Sequence, residues 1–240
     1  MKKGLIASLV CLAFTAAVLA QVKVTPQKRI YTRPKPFSEY KKTFTITRPK
    51  ISGVSRTVAR KIENALSYEK LFNFTISQEK GEYQWLEEAS YDVLYNKGRI
   101  LSIGLTIEGS AAYPSGSQKF VVIDTRTGNV AVPSSVFRDK AKLAALVNKR
   151  MADAMDMAVK AWDADPDMRD LDRKELLGDK VFREKDLANY SVNAKGVTFR
   201  YEFGFPHAIL AAEPDSEFAF SWEEMKPFIA PQGLLAVMTR

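Results

Sequence analysis

The stretch from Tyr91 to Phe137 constrains the fold of this chain more than any other. It runs Tyr91-Asp-Val-Leu-Tyr95, a turn at Asn96-Lys97-Gly98, then Arg99 to Glu108. A Gly/Ser/Pro-rich segment follows, then Lys119-Phe-Val-Val-Ile-Asp124, a turn at Thr127-Gly128-Asn129, and Val130-Ala-Val132. Leu101, Ile103, Leu105 and Ile107 occupy alternate positions, the period of a strand with one buried face. Both turns place Gly beside Asn or Lys, where a positive φ costs little. The pattern predicts a β-meander. Helical periods lie on either side of it, which makes the expected class α+β, with helices packed on an antiparallel meander and two subdomains of similar size.

Upstream, Lys42 to Thr47 alternates and predicts a first strand closed by Pro49. Ser55 suits a helix N-cap, with Val58, Ile62, Ala65 and Leu66 on one face. Tyr68 to Glu88 reads as a short helix or loop and then a strand around Tyr83 to Leu86. Downstream, Leu143, Leu146, Val147, Met151, Ala154, Met155, Ala158 and Trp162 keep a 3.6 period from Asp139 until Pro166 resets the chain. A second helix is expected over Asp167 to Leu177, ending at Gly178. Tyr190 to Asn193 and Val197 to Phe203 predict a hairpin, and Glu217 to Phe220 a last strand. Ser221-Trp-Glu-Glu224 then reads as a capped helix start. Trp162, Phe137 and Phe199 are expected in the core.

The first twenty residues read as a signal peptide. Lys2 and Lys3 precede an apolar run from Leu5 to Ala20 that ends with small residues at the −3 and −1 positions. As a helix the run spans about 24 Å, short of a hydrocarbon core of about 30 Å. Cys11 lies mid-run and lacks the preceding small residue that lipoprotein processing needs. The expected address is secreted or periplasmic, with no transmembrane span after signal cleavage. Removal of the signal leaves a cysteine-free chain, which closes off disulfides, thiolate catalysis and thiolate metal sites.

The formal charge of +8 falls to +6 without Lys2 and Lys3. Nine basic residues between Gln21 and Lys50 face Glu39 alone, so Ile51 to Arg240 carries −2. With Pro26, Pro34 and Pro36 and no apolar period, residues 21–40 read as a basic extended arm ahead of a domain over 41–240, with a sub-boundary near 115. Lys28, Arg29, Arg33, Lys35, Lys41 and Lys42 then become candidates for contact with an anionic envelope surface. The export signal argues against nucleic acid as the partner.

Candidates for chemistry are few. His207 is the only histidine, and no Gly-x-Ser-x-Gly elbow accompanies it, so catalytic residues, a resident metal and cofactors are all expected to be none. Asp163, Asp165 and Asp167 have the oxygen spacing of a calcium loop, but Met168 and Lys174 stand where Gly and Glu belong. They read as a solvated acidic linker. Glu87-Glu88 and Glu223-Glu224 are the carboxylate pairs for a glycan hydrolase, the alternative to a binding role.

The order of several segments resembles the PdaC/RsiV-like family of exported bacterial domains, the domain of unknown function 3298 type. These are the first strand, Pro49-Lys-Ile-Ser-Gly53, the helix with Ile62-Glu-Asn64, Ser90-Tyr91 and Arg99-Ile-Leu-Ser-Ile103. Phe120-Val-Val-Ile-Asp124-Thr-Arg-Thr-Gly128 runs on into Val132-Pro-Ser-Ser-Val-Phe137. Tyr190 to Phe199, Phe205-Pro-His-Ala208 and Trp222 to Phe228 complete the likeness, which covers about Thr43 to Phe228. Gly109 to Pro114 departs from it where a Gly-Gly-Ala-His-like loop is expected. The resemblance implies a non-enzymatic binding or accessory module at the cell envelope, whose partner is a glycan or a protein acting on glycans. The resembling domains occur in an anti-sigma factor and beside peptidoglycan deacetylases, and here the module is expected alone.

Within the module, the loop Gly109 to Ser117 and the segment Phe205-Pro-His207 each follow a confident strand. Tyr113, His207 and Phe205 are therefore the candidate ligand-binding residues, with Tyr113 and His207 on one patch. The signal pattern predicts a mature N-terminus at Gln21. Intact-mass spectrometry of the exported protein checks this, and a chain retained in the membrane with Met1 in place contradicts it.

Overall fold

The computed structural model describes residues 21–240; the signal segment, including Cys11, lies outside the described residues. The fold is α+β, as the alternation of strand and helix periods predicts. Strands β1 (Lys23–Thr32), β2 (Thr43–Ser52), β3 (Leu86–Lys97), β4 (Ile100–Ser110), β5 (Pro114–Asp124) and β6 (Asn129–Val130) form one sheet in that order. Neighbours are antiparallel except β2 and β3, which run parallel where Thr45 and Ile46 pair with Glu88 and Ala89. The connection between those two carries helices α1 (Arg56–Ala65), α2 (Tyr68–Leu71) and α3 (Ile76–Lys80). Then come α4 (Pro133–Val136), α5 (Lys140–Ala164) and α6 (Arg173–Leu177). A second, three-stranded sheet of β7 (Tyr190–Val192), β8 (Gly196–Arg200) and β9 (Glu217–Ser221) precedes the short α7 (Trp222–Met225).

The meander stands where the sequence puts it, and Gly98 and Gly128 hold φ of +58° and +73° in its turns. The expectation of one buried face on β4 needs correction. Leu101, Ile103, Leu105 and Ile107 pack with Phe44, Ile46, Ile62 and Leu66 in one core. Ile100 and Val122 face the other way, into a second core built from α5 and the three-stranded sheet. Between them Ser102 is fully buried, and its hydroxyl accepts a hydrogen bond from the Val192 amide at 3.1 Å. The small polar residue lets β7 cross close to the strand and gives its amide a partner. Position 115 falls inside β5, so the two cores divide by the face of the large sheet.

Ser55 caps α1, its side chain accepting from the Val58 amide. Thr75 with Gln78, and Ser221 with Glu224, form complete capping boxes. Trp162, Phe137 and Phe199 are buried as expected, and the Trp162 indole N–H reaches the Ala212 carbonyl at 2.9 Å. Residues 167–170 are turns, where a helix was expected: Asp172 caps α6 by accepting from the Glu175 amide, so the helix begins there. Pro49 does not close β2. It pairs opposite Pro26, and since neither ring has an N–H, the pair fits a site where both amides would point away from the partner strand.

The expectation that fails most fully is the arm. Residues 23–32 pair with β2 over ten consecutive positions, and Tyr31 stacks on Phe44 with ring centroids 5.0 Å apart. Arg33 is buried. Its guanidinium donates to the carbonyls of Glu79 (2.8 Å), Lys41 (2.8 Å), Thr43 (3.2 Å) and Leu86 (2.6 Å), and lies over the Phe44 ring. The Glu79 carboxylate sits 3.7 Å away and accepts from the Leu86 amide at 2.8 Å. Desolvation lowers the Arg33 pKa from its usual value, opposed by the charges of Glu79 and Glu87. One cation thus joins β1, β2, α3 and β3. Lys41 is also internal, its ammonium held by the Glu87 carboxylate (2.6 Å) and by Ser110. Arg33 and Lys41 therefore leave the set of surface cations; Lys28, Arg29, Lys35 and Lys42 remain exposed.

Removing one partner of a buried ion pair typically costs about 3–5 kcal/mol. Arg33→Ala should lower the unfolding free energy by about that amount. Arg33→Lys should recover little, because one ammonium cannot serve four diverging carbonyls. Urea titration of the three proteins measures both differences, and equal midpoints would show that the cluster is dispensable.

Candidate functional site

The face of β4 and β5 that packs on the second sheet changes character along its length. Cross-strand pairs Ser102↔Val122 and Gly104↔Phe120 lie over the core, and Thr106↔Gln118, Glu108↔Gly116 and Ser110↔Pro114 continue beyond it. Past Phe120 the residues on this face are polar or small. A cleft of about 500 Å³ opens there, walled on one side by Thr106, Glu108, Gln118 and Phe120. Arg200 from β8, Tyr201, Glu213 and Glu217 form the opposite wall.

Its floor is a stack. Gly104 has no side chain, and a Cβ there would meet the Phe120 ring at 3.0 Å, so glycine lets the ring lie flat across the strand. The Arg200 guanidinium covers that ring 3.5 Å from its centroid, within cation–π range. Arg200 is fixed further by donation to the Glu217 carboxylate at 2.7 Å and to the buried Ser191 hydroxyl at 2.9 Å. Glu202 pairs with Lys119 at 3.6 Å, and Glu213 accepts from the Phe203 amide at 3.3 Å.

The structure brings Tyr113 and His207 together. Their rings stack with centroids 4.8 Å apart and an interplanar angle of 23°, and the His207 Nε2 lies 3.1 Å from the Pro114 carbonyl. Tyr113 sits in the β4–β5 turn, and β5 runs from there into the cleft wall. His207 starts the 3-10 segment whose Leu210 lines the opposite wall. Neither ring lines the cleft itself; each sits three residues along the chain from a lining residue, Tyr113 from Gly116 and His207 from Leu210, and Tyr113 is 64% exposed. The expected nine-residue loop is a hairpin: Gly109 and Ser110 pair with Ser115 and Pro114, which leaves only residues 111–113 in the turn. The turn that departs from the family-like Gly-Gly-Ala-His pattern has an imidazole laid on it from a distant segment.

Phe205 also lines the cleft, but only with an edge: it is 7% exposed and packs against Trp162 and Phe203, with centroids at 6.0 and 6.4 Å. Sequence reasoning missed Phe120, Arg200 and Glu217. The signal available was the second face of β4, where Thr106 and Glu108 replace apolar residues while Leu105 and Ile107 stay apolar.

One member of each carboxylate pair is already engaged. Hydrogen bonds from Lys41 and Ser110 hold the Glu87 carboxyl below its usual range. The Ser221 backbone and hydroxyl do the same to Glu224, which also pairs with Arg150. A general acid needs the opposite shift. Asp163 pairs with Arg173, and Asp165 accepts from the Asp167 amide at 2.9 Å. Another hollow, of about 580 Å³, lies between the β3–β4 turn and the C-terminal segment, lined by Tyr95, Arg99, Ile100 and Val237. Its Arg99 is occupied by Asp124 at 2.5 Å.

No protein-family model matches the chain, and no curated protein matches it. Among solved structures it is similar to a DUF3298 family member from Bacteroides fragilis, with 12% identity, a TM-score of 0.53, and 91% of this chain and 97% of that chain covered. A DUF3298 family protein from Pseudomonas aeruginosa is similar at 11% identity and a TM-score of 0.51, over 88% and 95% of the two chains. The fold is of the DUF3298 type. No helix among the described residues is long and apolar enough to cross a membrane.

Phe205→Ala should destabilise the domain by about 3–5 kcal/mol, the range for truncating a buried aromatic. Tyr113→Ala, at an exposed position, should stay within about 0.5 kcal/mol of the parent. Thermal melts of both variants test the division between core and cleft rim.

Proposed function

We propose that this chain is an exported, non-enzymatic binding module of the cell envelope, and that a glycan is the ligand of the cleft. The observation that carries the reading is a polar cleft beside which Tyr113, stacked on His207, is held exposed. Sugars present apolar C–H faces that lie on aromatic rings and hydroxyls that need planar, charged or amide partners. Tyr113, beside the cleft, supplies the first kind of surface, and Gln118, Glu108, Arg200 and Glu217 in its walls the second. A volume of about 500 Å³ lies within the range of small-ligand sites and suits a short saccharide better than the flat face of a globular protein. Arg200 and Tyr113 are held before any ligand arrives, which reduces the ordering cost of binding. Export rests on the pattern of Lys2, Lys3 and the apolar run to Ala20.

A hydrolase would need two free carboxylates flanking the bond, at about 5–5.5 Å or 6.5–9.5 Å from each other. In the cleft Glu202, Glu213 and Glu217 are each engaged by a cation or a backbone amide, which leaves Glu108 without a second free carboxylate and favours recognition over acid–base work.

Titration calorimetry with soluble peptidoglycan fragments and chitin oligosaccharides tests the reading. Binding should be saturable, and Tyr113→Ala should weaken it about tenfold, roughly 1.4 kcal/mol. Absence of binding to every fragment, or an unaffected Tyr113→Ala, would overturn it. Release of new reducing ends during the titration would favour the hydrolase.

A further inference from the structure

The connection between β1 and β2, Arg33 to Lys42, carries the most exposed aromatic residues of the described chain. Tyr40 is 93% exposed and Phe37 72%, and Tyr83 on the adjoining α3–β3 connection is 58% exposed. Such exposure usually reflects a mobile loop, but this one is fastened at three points. Arg33 anchors its start through four carbonyls, and the Arg33 amide closes the loop on the Lys42 carbonyl at 2.9 Å. Lys41 ties its end to Glu87 and Ser110.

Gln84 grips the middle. It is buried, its amide donates to the Lys35 carbonyl (2.8 Å) and the Gly81 carbonyl (3.1 Å), and its oxygen accepts from the Phe37 amide (2.9 Å). Gln84 makes these bonds from a left-handed conformation, φ +46°, which L side chains seldom adopt. Pro34 and Pro36 stiffen the same segment. The fold thus holds two large aromatic side chains out in water on a rigid platform.

The charges around that platform have a small positive excess. Lys35, Lys42 and Lys80 stand on the loop and on the end of α3, against Glu39 and Glu82, a net of +1. Glu79 and Glu87 are neutralised by Arg33 and Lys41. Exposed aromatics flanked by Lys35 and Lys42 match the boundary of an anionic bilayer, where rings settle at headgroup depth and ammonium groups meet lipid phosphates. We propose that the loop Pro34–Tyr40 is an interfacial anchor that seats this domain on an anionic lipid surface through Phe37 and Tyr40, steered by Lys35 and Lys42. The cleft lies on the other face of the large sheet from the core that α1 covers. The anchor is a separate site and does not depend on what the cleft binds.

The chain from Gln21 to Arg240 carries both cores whole, so it can be tested without the apolar leader. It should co-sediment with phosphatidylcholine vesicles containing phosphatidylglycerol and much less with phosphatidylcholine alone. Phe37→Ala/Tyr40→Ala should weaken partitioning by about tenfold or more, with an unchanged melting temperature. Lys35→Ala and Lys42→Ala should each weaken it about fivefold, an effect that fades as salt rises. In Tyr40→Trp, a vesicle-induced blue shift of emission, quenched by brominated lipid, places the ring in the interface. Equal sedimentation of parent and double variant, binding that ignores lipid charge, or an emission spectrum unmoved by vesicles would each overturn the anchor.

Discussion

The constraint on which the structure rests is that β4 is buried on both sides. A strand in that position needs apolar or self-satisfied residues at every site, and both of its neighbours must supply its backbone hydrogen bonds. Leu101, Ile103, Leu105 and Ile107 serve one core, while Ile100, Ser102 and Gly104 serve the other. Small residues on the second side are what let the three-stranded sheet approach. Ser102 gives the Val192 amide a partner, and Gly104 leaves room for the Phe120 ring. Where those conditions lapse, at Thr106 and Glu108, the second sheet has nothing apolar to cover and the cleft begins. The cleft and the core are thus two outcomes of one residue pattern.

The N-terminal segment shows how a charged sequence can be structural. A buried guanidinium is tolerable when its donors are met and an acid is close, and Arg33 meets both conditions through backbone carbonyls that have few other partners. A planar fork of five N–H groups reaches carbonyls on four elements at once, which a single ammonium cannot do. On the outer edge of β1 the remaining cations and Pro26 also discourage another strand from adding to the sheet. The same basic composition that reads as a solvated arm is therefore partly a buried clamp and partly an edge guard.

The ion pairs on the perimeter follow a common rule. Burial by itself would raise the carboxyls of Glu69 and Asp124, but Arg48 and Arg99 outweigh it and hold both below their usual range. The Arg48 pair ties α2 to β2, and the Arg99 pair closes the β4–β5 end of the meander. Neither lies in the cleft, where Arg200 is the engaged cation. The charge pattern therefore separates scaffold from site by location alone.

What the sequence determined by itself was periodic or local. The meander, the Gly98 and Gly128 turns, the long helix to Ala164, the Ser55 and Ser221 caps and the burial of Trp162, Phe137 and Phe199 all follow from side-chain spacing within one element. Tyr113 and His207 were legible as candidates because each sits in a turn after a clear strand. Their contact across 94 positions was not, since it depends on how the second sheet lies against the first. The same holds for Arg200 over Phe120, for Phe205 turning inward, and for Arg33 leaving the surface. In each case the side chain's neighbours come from distant segments, and short-range periodicity carries no record of them. Only the tertiary structure decides whether a cation faces water or four carbonyls, because that choice is made by the packing of strands far apart in the chain.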